Sequence, residues 1–580
     1  MAIAKTLRSW LAETHDPQFE LVRHFLSEQL ANDLISSDQV RRFVITVLAA
    51  LACIGPLIVR LYIPKYNYLQ SLDSADLYLA AVRADRLFFI TLSMLAAGLV
   101  TVIQWHGLFP SLPDYLALKA LPVRLYQVFI ARFLSSFVIL GIVIAALNLG
   151  TSVLFPLLTC GRWQSPSFGV RYVLAHWTAT FSAGVFTFLT LNALQGVLMN
   201  FLTPRIFERL SVLIQVLFAT AFLTAAPYVL EMPDRHKTIA AKPHWMLLFP
   251  PAWFLGVYES LLGGRDVYFL LLCKRAVTGI ASGLFLTLTA YSLCYRRHIR
   301  RVMEQSRPKL TGESFTERLA SALLGRLVRR TPERGTFVFT IQTLHRSRHH
   351  KLITGFALAI ALVLALQTAG PATVLHLHSA RSWSPWEIES ILAVPLVIAA
   401  ALISALCYVF QLPSDLQASW VFRIAERASR AELLDSVESL LVLCGLVPVL
   451  LVTAPYEALT LGWSLTLAHI ALVGVFVLLL IEARLYDWHK IPFACSYVPG
   501  RRNFWQTIGT YLLLFAALIP TITYFEARLL RPFNLLASAG ALSVGYFFLR
   551  SARRDRWKIV PLLFDESDDP QLDAMRLDRE

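Results

Sequence analysis

The chain has 580 residues, of which 56% are hydrophobic and only 16% charged, with 53 Lys and Arg against 38 Asp and Glu. A water-soluble protein of this length divides into domains with polar surfaces, so this balance excludes that class and leaves a bilayer as the main solvent. The net charge of +15 does not call for a nucleic-acid partner, because cytoplasmic loops of membrane proteins carry the same basic excess.

In chain order, the N-terminal MAIAKTLRSWLAETHDPQFE lacks the unbroken apolar run of a signal peptide and is expected to stay in the cytoplasm. An amphipathic helix follows, with Asp16 as cap, Pro17 in the first turn and Phe19, Val22, Phe25, Leu26 and Leu30 on one face. Apolar runs long enough to span then recur near 43–62, 87–106, 128–150, 172–198, 208–230, 275–295, 352–370, 389–410, 438–454, 462–483, 505–524 and 533–550. The fold class is therefore all-α, a polytopic membrane protein of about twelve spans in two six-helix halves. The expected division is a first half over 1–300, a basic linker over 301–351, a second half over 352–550 and a charged tail over 551–580. An even span number puts both termini on one side. Lys and Arg concentrate on that side, above all in 296–351, which holds 14 of them against four acidic residues. The positive-inside rule makes that side cytoplasmic.

Between the fifth and sixth spans the outer segment 231–274 contains FPPAWFLGVYESLLGG. Pro250 and Pro251 open a helix, Trp253, Phe254 and Tyr258 contribute to its apolar body, and Gly263–Gly264 end it. It is too short to cross and suits a re-entrant or interfacial element. In the linker, Phe315, Leu319, Ala322, Leu323 and Leu327 form a second apolar stripe flanked by Arg318, Arg326, Arg329 and Arg330, which fit anionic lipid headgroups. For both amphipathic helices, packing against the protein's own loops is the alternative.

Chemistry is sparse. Span centres read as nearly free of ionisable groups, which argues against an ion-coupled pump. Asn148, Asn192, Gln195, Gln215, Gln367, His176 and His469 read as single interhelical hydrogen-bond partners, and Glu438 and Glu482 as helix-end carboxylates reaching water. The seven cysteines show no CxxC or zinc spacing, the arginines within HRSRHH at 345–350 would repel a metal cation, and the two histidines of LHLH at 375–378 have no carboxylate or thiolate partner, so no metal or cofactor is expected. HExxH and GxSxG are absent, as is GxxxxGK[ST], so ATP hydrolysis, if it drives the protein, belongs to a partner.

Two inner loops follow the second span of each half: LFPSLPDYLALKALPVR from Leu108, and VFQLPSDLQASWVFRIAE from Val409. Together with the helix before the first span and the PPAWFLGVYESLLGG helix before the sixth, the first loop resembles the ABC-2 type permease family, membrane subunits of ATP-binding-cassette exporters. The likeness covers about 1–300 and extends to fused twelve-span bacterial variants. It implies that Asp114, Tyr115, Leu121, Pro122 and Arg124 form a coupling helix docking on a separate ATPase subunit in the bacterial cytoplasmic membrane. If the second half is equivalent, Asp415, Trp420, Arg423 and Glu426 do the same. That loop departs from the pattern in lacking a Leu-Pro pair after its acidic residue. The competing readings are a non-transporting scaffold that holds partners or anionic lipid through its basic loop, and a membrane-embedded enzyme acting on lipid.

Overall fold

A computed structural model describes residues 17–30, 37–72, 74–105, 124–159, 169–305, 331–370, 384–414, 419–496, 509–511 and 513–564. Among these residues the chain is all-α, and twelve helical segments are long and apolar enough to cross a membrane. It is a multi-pass membrane protein. The chain forms two compact units, Met1–Lys309 and Leu310–Glu580.

In the first unit, α1 (Pro17–Leu30) precedes the spans α2 (Ser37–Ser71) and α3 (Ala75–Ile103). α4 (Leu125–Asn148) with its continuation α5 (Thr151–Thr159) makes the third span, followed by α6 (Gly169–Phe201) and α7 (Pro204–Leu230). A short α8 (His236–Ala240) and the twelve-residue α9 (Pro250–Leu261) lead to α10 (Val267–Gln305). α3 and α6 are central, with 67% and 61% of their apolar windows buried, against 11% for α2. The outer helices turn side chains such as Leu57, Leu61, Phe285 and Leu293 outward, as lipid-facing surfaces require. Small residues set the close approaches. A Cβ on Gly184 would stand 2.2 Å from the Ile144 Cδ1, and one on Gly98 2.6 Å from the Phe222 ring.

The apolar face of α1 lies on the protein. Leu21 and Phe25 pack on Val128 and Ala131 of α4, the Arg132 guanidinium sits 4.2 Å from the Phe25 ring centroid, and Arg132 pairs with Glu28 at 3.1 Å. The helix thus packs on the chain itself, with a span rather than a loop as the partner. The linker stripe 315–327 lies outside the described residues.

In the second unit, α11 (Thr331–Arg346) leads into α12 (Arg348–Ala369), capped by Ser347, and then α13 (Pro385–Val409). Ser384 and Glu387 form a reciprocal capping box at the start of α13. α13 is the central helix, 83% buried over its window. α14 (Ser419–Leu441) passes through a π turn at Val442–Leu446 into α15 (Val447–Leu461), followed by α16 (Trp463–Leu485), α17 (Ile519–Arg528) and α18 (Pro532–Ile559). One residue, Gly462, joins α15 to α16. Its φ of +84° and ψ of 152° lie in a region essentially restricted to glycine.

Every expected span has a helix, and the main differences are at the ends. The second span begins at Ala75 rather than near 87, and the ninth runs over Arg430–Leu461 rather than 438–454. Ionisable residues lower the local hydropathy at these ends, yet Asp85, Arg86 and Glu438 are buried against ionic partners on other helices, and the helices continue through them.

Candidate functional site

The short helix α9 is where the sequence locates an outer element, and it lies against α3, α6 and α10. Its close approach to α10 depends on Gly256: a Cβ there would meet the Cys273 backbone nitrogen and the Phe269 carbonyl oxygen at 2.6 Å. Gly263, at φ +89°, ends it, and the Gly264 N–H donates to the Glu259 carbonyl at 2.9 Å. Phe254 and Tyr258 are buried, while Trp253 is half-buried and donates through its indole N–H to the Leu247 carbonyl at 2.9 Å.

The same helix carries an ionisable residue that is not among the sequence candidates. Glu259 is buried and accepts from Arg86 at 2.6 Å and from Arg83 at 3.3 Å, both on α3. The Arg86 guanidinium also faces the Tyr258 ring, 4.6 Å from its centroid. Burial pushes the Tyr258 phenol up to about 12, so it stays neutral. One residue before Arg86, the buried Asp85 accepts from Lys65 at 2.7 Å and from the Tyr66 hydroxyl at 2.5 Å. The short segment before α10 is tied by a Lys242–Asp266 ion pair, whose hydrogen bond holds the Asp266 carboxyl below the usual carboxylate range. Among the described residues of this unit, the buried carboxylates Asp85 and Glu259 each have at least one cation bound to them.

The second unit holds two further clusters. Arg553 of α18 is completely buried and pairs with both Glu438 of α14 and Glu482 of α16; Arg550 pairs with Glu438 at 3.0 Å. Arg554 stands 3.8 Å from Asp435. Three arginines thus face three carboxylates. This corrects the expectation for Glu438 and Glu482: both are buried among arginines rather than reaching water, because α18 runs beyond residue 550 and carries Arg553 back onto them.

Toward the opposite end of α16 the balance differs. His469 pairs through Nδ1 with Glu526 of α17, and its Nε2 lies 3.8 Å from Glu457 of α15. All three side chains are 1% exposed. Among the described residues no cation or N–H group donates to either carboxylate oxygen of Glu457, on which the Thr453 hydroxyl bears, and the His469 Nε2 and the second Glu526 oxygen have no hydrogen-bond partner. His469 is therefore one member of an ionisable cluster rather than a lone hydrogen-bond partner, and spans of the chain do hold ionisable groups. The spans as drawn from sequence stop at 454 and 524, which leaves Glu457 and Glu526 just outside. His176, by contrast, is buried beside the Thr151 hydroxyl at 3.4 Å, as an interhelical partner should be.

The remaining sequence candidates fall as follows. Asp114, Tyr115, Leu121, Pro122 and Asp415 lie outside the described residues, as do Arg318, Arg326, Arg329 and Arg330. Arg124 is exposed at the start of α4, its backbone N–H donating to Gln127 Oε1 at 2.8 Å. Trp420 is 62% exposed on α14, Arg423 stacks on Phe564 at 5.1 Å, and Glu426 lies further along the same helix. Among the described residues, no three His, Cys, Asp or Glu side chains are arranged to hold a metal ion. His350 donates to or accepts from Ser347 at 2.5 Å and approaches the Leu412 carbonyl at 3.3 Å. His376 and His378 lie outside the described residues.

The chain matches no family model, no curated protein and no solved structure.

Proposed function

We propose that the chain is the membrane-spanning permease subunit of an ATP-driven, ABC-type exporter, lying in the bacterial cytoplasmic membrane with both termini inside. Separate ATPase subunits dock on its inner loops. The observation that carries this reading is α9, a non-spanning helix between the fifth and sixth spans that is anchored to α3 by the Glu259–Arg86 ion pair. A short helix fixed in that way has the form expected of a cover over the outer end of a pathway. Support also comes from α1, which rests on α4 and precedes the first span. In this account the loop before α4 and the start of α14 present Arg124 and the exposed Trp420 and Arg423 to the ATPases, with Asp114 and Asp415 in the same loops. The abundant apolar surface suits an apolar or amphipathic cargo.

The test is affinity purification of the full chain from its native membrane, followed by identification of co-purifying proteins and an ATP-hydrolysis assay. Recovery of a P-loop ATPase, reduced when Asp114, Arg124, Asp415 and Arg423 are replaced by alanine, is the expected result. Failure to recover any ATPase under conditions that preserve a known exporter complex would overturn the reading.

A further inference from the structure

The cluster at the Gly462 turn differs from every other buried ionic group described in having too few cations. With His469 fully protonated, the imidazolium faces two carboxylates, and the cluster keeps one negative charge inside a membrane-spanning bundle. Such a charge is costly there and persists when a bound partner offsets it. Of the helices packed around it, α13, α15, α16, α17 and α18, the charged groups that interact with Glu457 among the described residues are His469 and Glu526. Arg550 and Arg553 of α18 are taken up by Glu438 and Glu482, the latter about 20 Å along α16 from His469 at 1.5 Å per residue. Arg528 of α17 lies over the Tyr524 ring at 4.2 Å.

We propose that Glu457, His469 and Glu526 form an intramembrane proton-binding site at which Glu457 takes up and releases the proton. Glu526 holds the imidazole through Nδ1 and so aims Nε2 at Glu457, 3.8 Å away. Uptake converts the Glu457 carboxylate to a carboxylic acid and brings the cluster to neutrality; release returns the proton to water, with no other bond changed. The oxygens of Glu457, to which no cation or N–H group donates among the described residues, are the acceptors, and the Thr453 hydroxyl one helical turn earlier is placed beside them. The Gly462 turn ends α15 about 7.5 Å of helix rise beyond Glu457. A metal ion fits less well, because His469 Nε2 and Glu457 alone would face it, and among the described residues no three His, Cys, Asp or Glu side chains are arranged to hold one. This site does not depend on an ATPase partner and stands or falls apart from the permease reading.

The experiment is pH-difference infrared spectroscopy of the purified full chain in lipid nanodiscs, which reads the carbonyl stretch of a protonated carboxylic acid. The expected result is a band that titrates with pH, is lost in Glu457→Gln and persists in Glu28→Gln. Should Glu457→Gln fail to fold, Glu457→Asp shifts the band if the assignment is right and leaves it in place if it is wrong. A titrating band unaffected by changes at Glu457, or none at all, overturns the proposal. A signal that follows Na+ concentration at fixed pH rather than pH also overturns it and makes the site a sodium site.

Discussion

Glu259 in the first unit and Glu457 in the second are both buried glutamates on elements that meet a neighbouring span, yet their surroundings are opposite. Glu259 has two arginines within 3.3 Å. Glu457 has a single imidazole at 3.8 Å, which is itself shared with another carboxylate. The first arrangement fixes one element on another. The second leaves two carboxylates sharing one imidazole, so the same residue type serves as a clamp in one place and as a binding group in the other.

The largest effect that would break this comparison is expected at Arg86. Arg86→Met leaves the buried Glu259 with only the partly exposed Arg83 at 3.3 Å and should destabilise the chain by up to about 3–5 kcal/mol, seen as an earlier thermal unfolding midpoint in detergent. Adding Glu259→Gln to that variant should recover part of the loss, since the under-compensated charge is then removed. Next, Gly256→Ala forces a methyl against the backbone of α10 and should cost about 1–3 kcal/mol, accompanied by faster proteolysis around 231–266. In the second unit Gly462→Ala meets no atom within 4 Å but must adopt φ +84°, so a loss of about 1–2 kcal/mol from backbone strain alone is expected. The same thermal assay reads it.

The smallest effect sharpens the picture at the surface. Because the folded-state carboxyl of Asp266 lies below its unfolded value, the Lys242 contact stabilises the chain above the ordinary Asp range of about 4 and is lost as pH falls through the lower folded value. The stability difference between the native chain and Asp266→Asn should therefore shrink toward zero on acidification. It should be small at neutral pH, since both side chains are more than a third exposed.

The spans were legible because lipid imposes long apolar helices, and so was α9, whose Pro-Pro start and Gly-Gly stop bracket it. The ionic clusters were not. Asp85, Arg86, Glu457 and Glu526 stand where hydropathy falls, which from sequence looks like a span ending at water. Only tertiary pairing keeps such residues inside, and their partners are distant: Glu259 is far along the chain from Arg86, and Arg553 is far from Glu438 and Glu482. One local signal was present. A lone glycine between two apolar helices implies a tight hairpin, which brings Glu457 and His469 face to face across Gly462.

One pair of variants tests the contrast most directly, because the chemical change is the same at both positions. The thermal unfolding midpoints of Glu259→Gln and Glu457→Gln should be compared with the native chain at neutral pH. Glu259→Gln leaves two arginines without their carboxylate and should unfold several degrees earlier, whereas Glu457→Gln leaves a one-to-one His469–Glu526 pair and should unfold at or above the native midpoint. Equal losses in the two variants would contradict the account, since Glu457 would then be a clamp like Glu259.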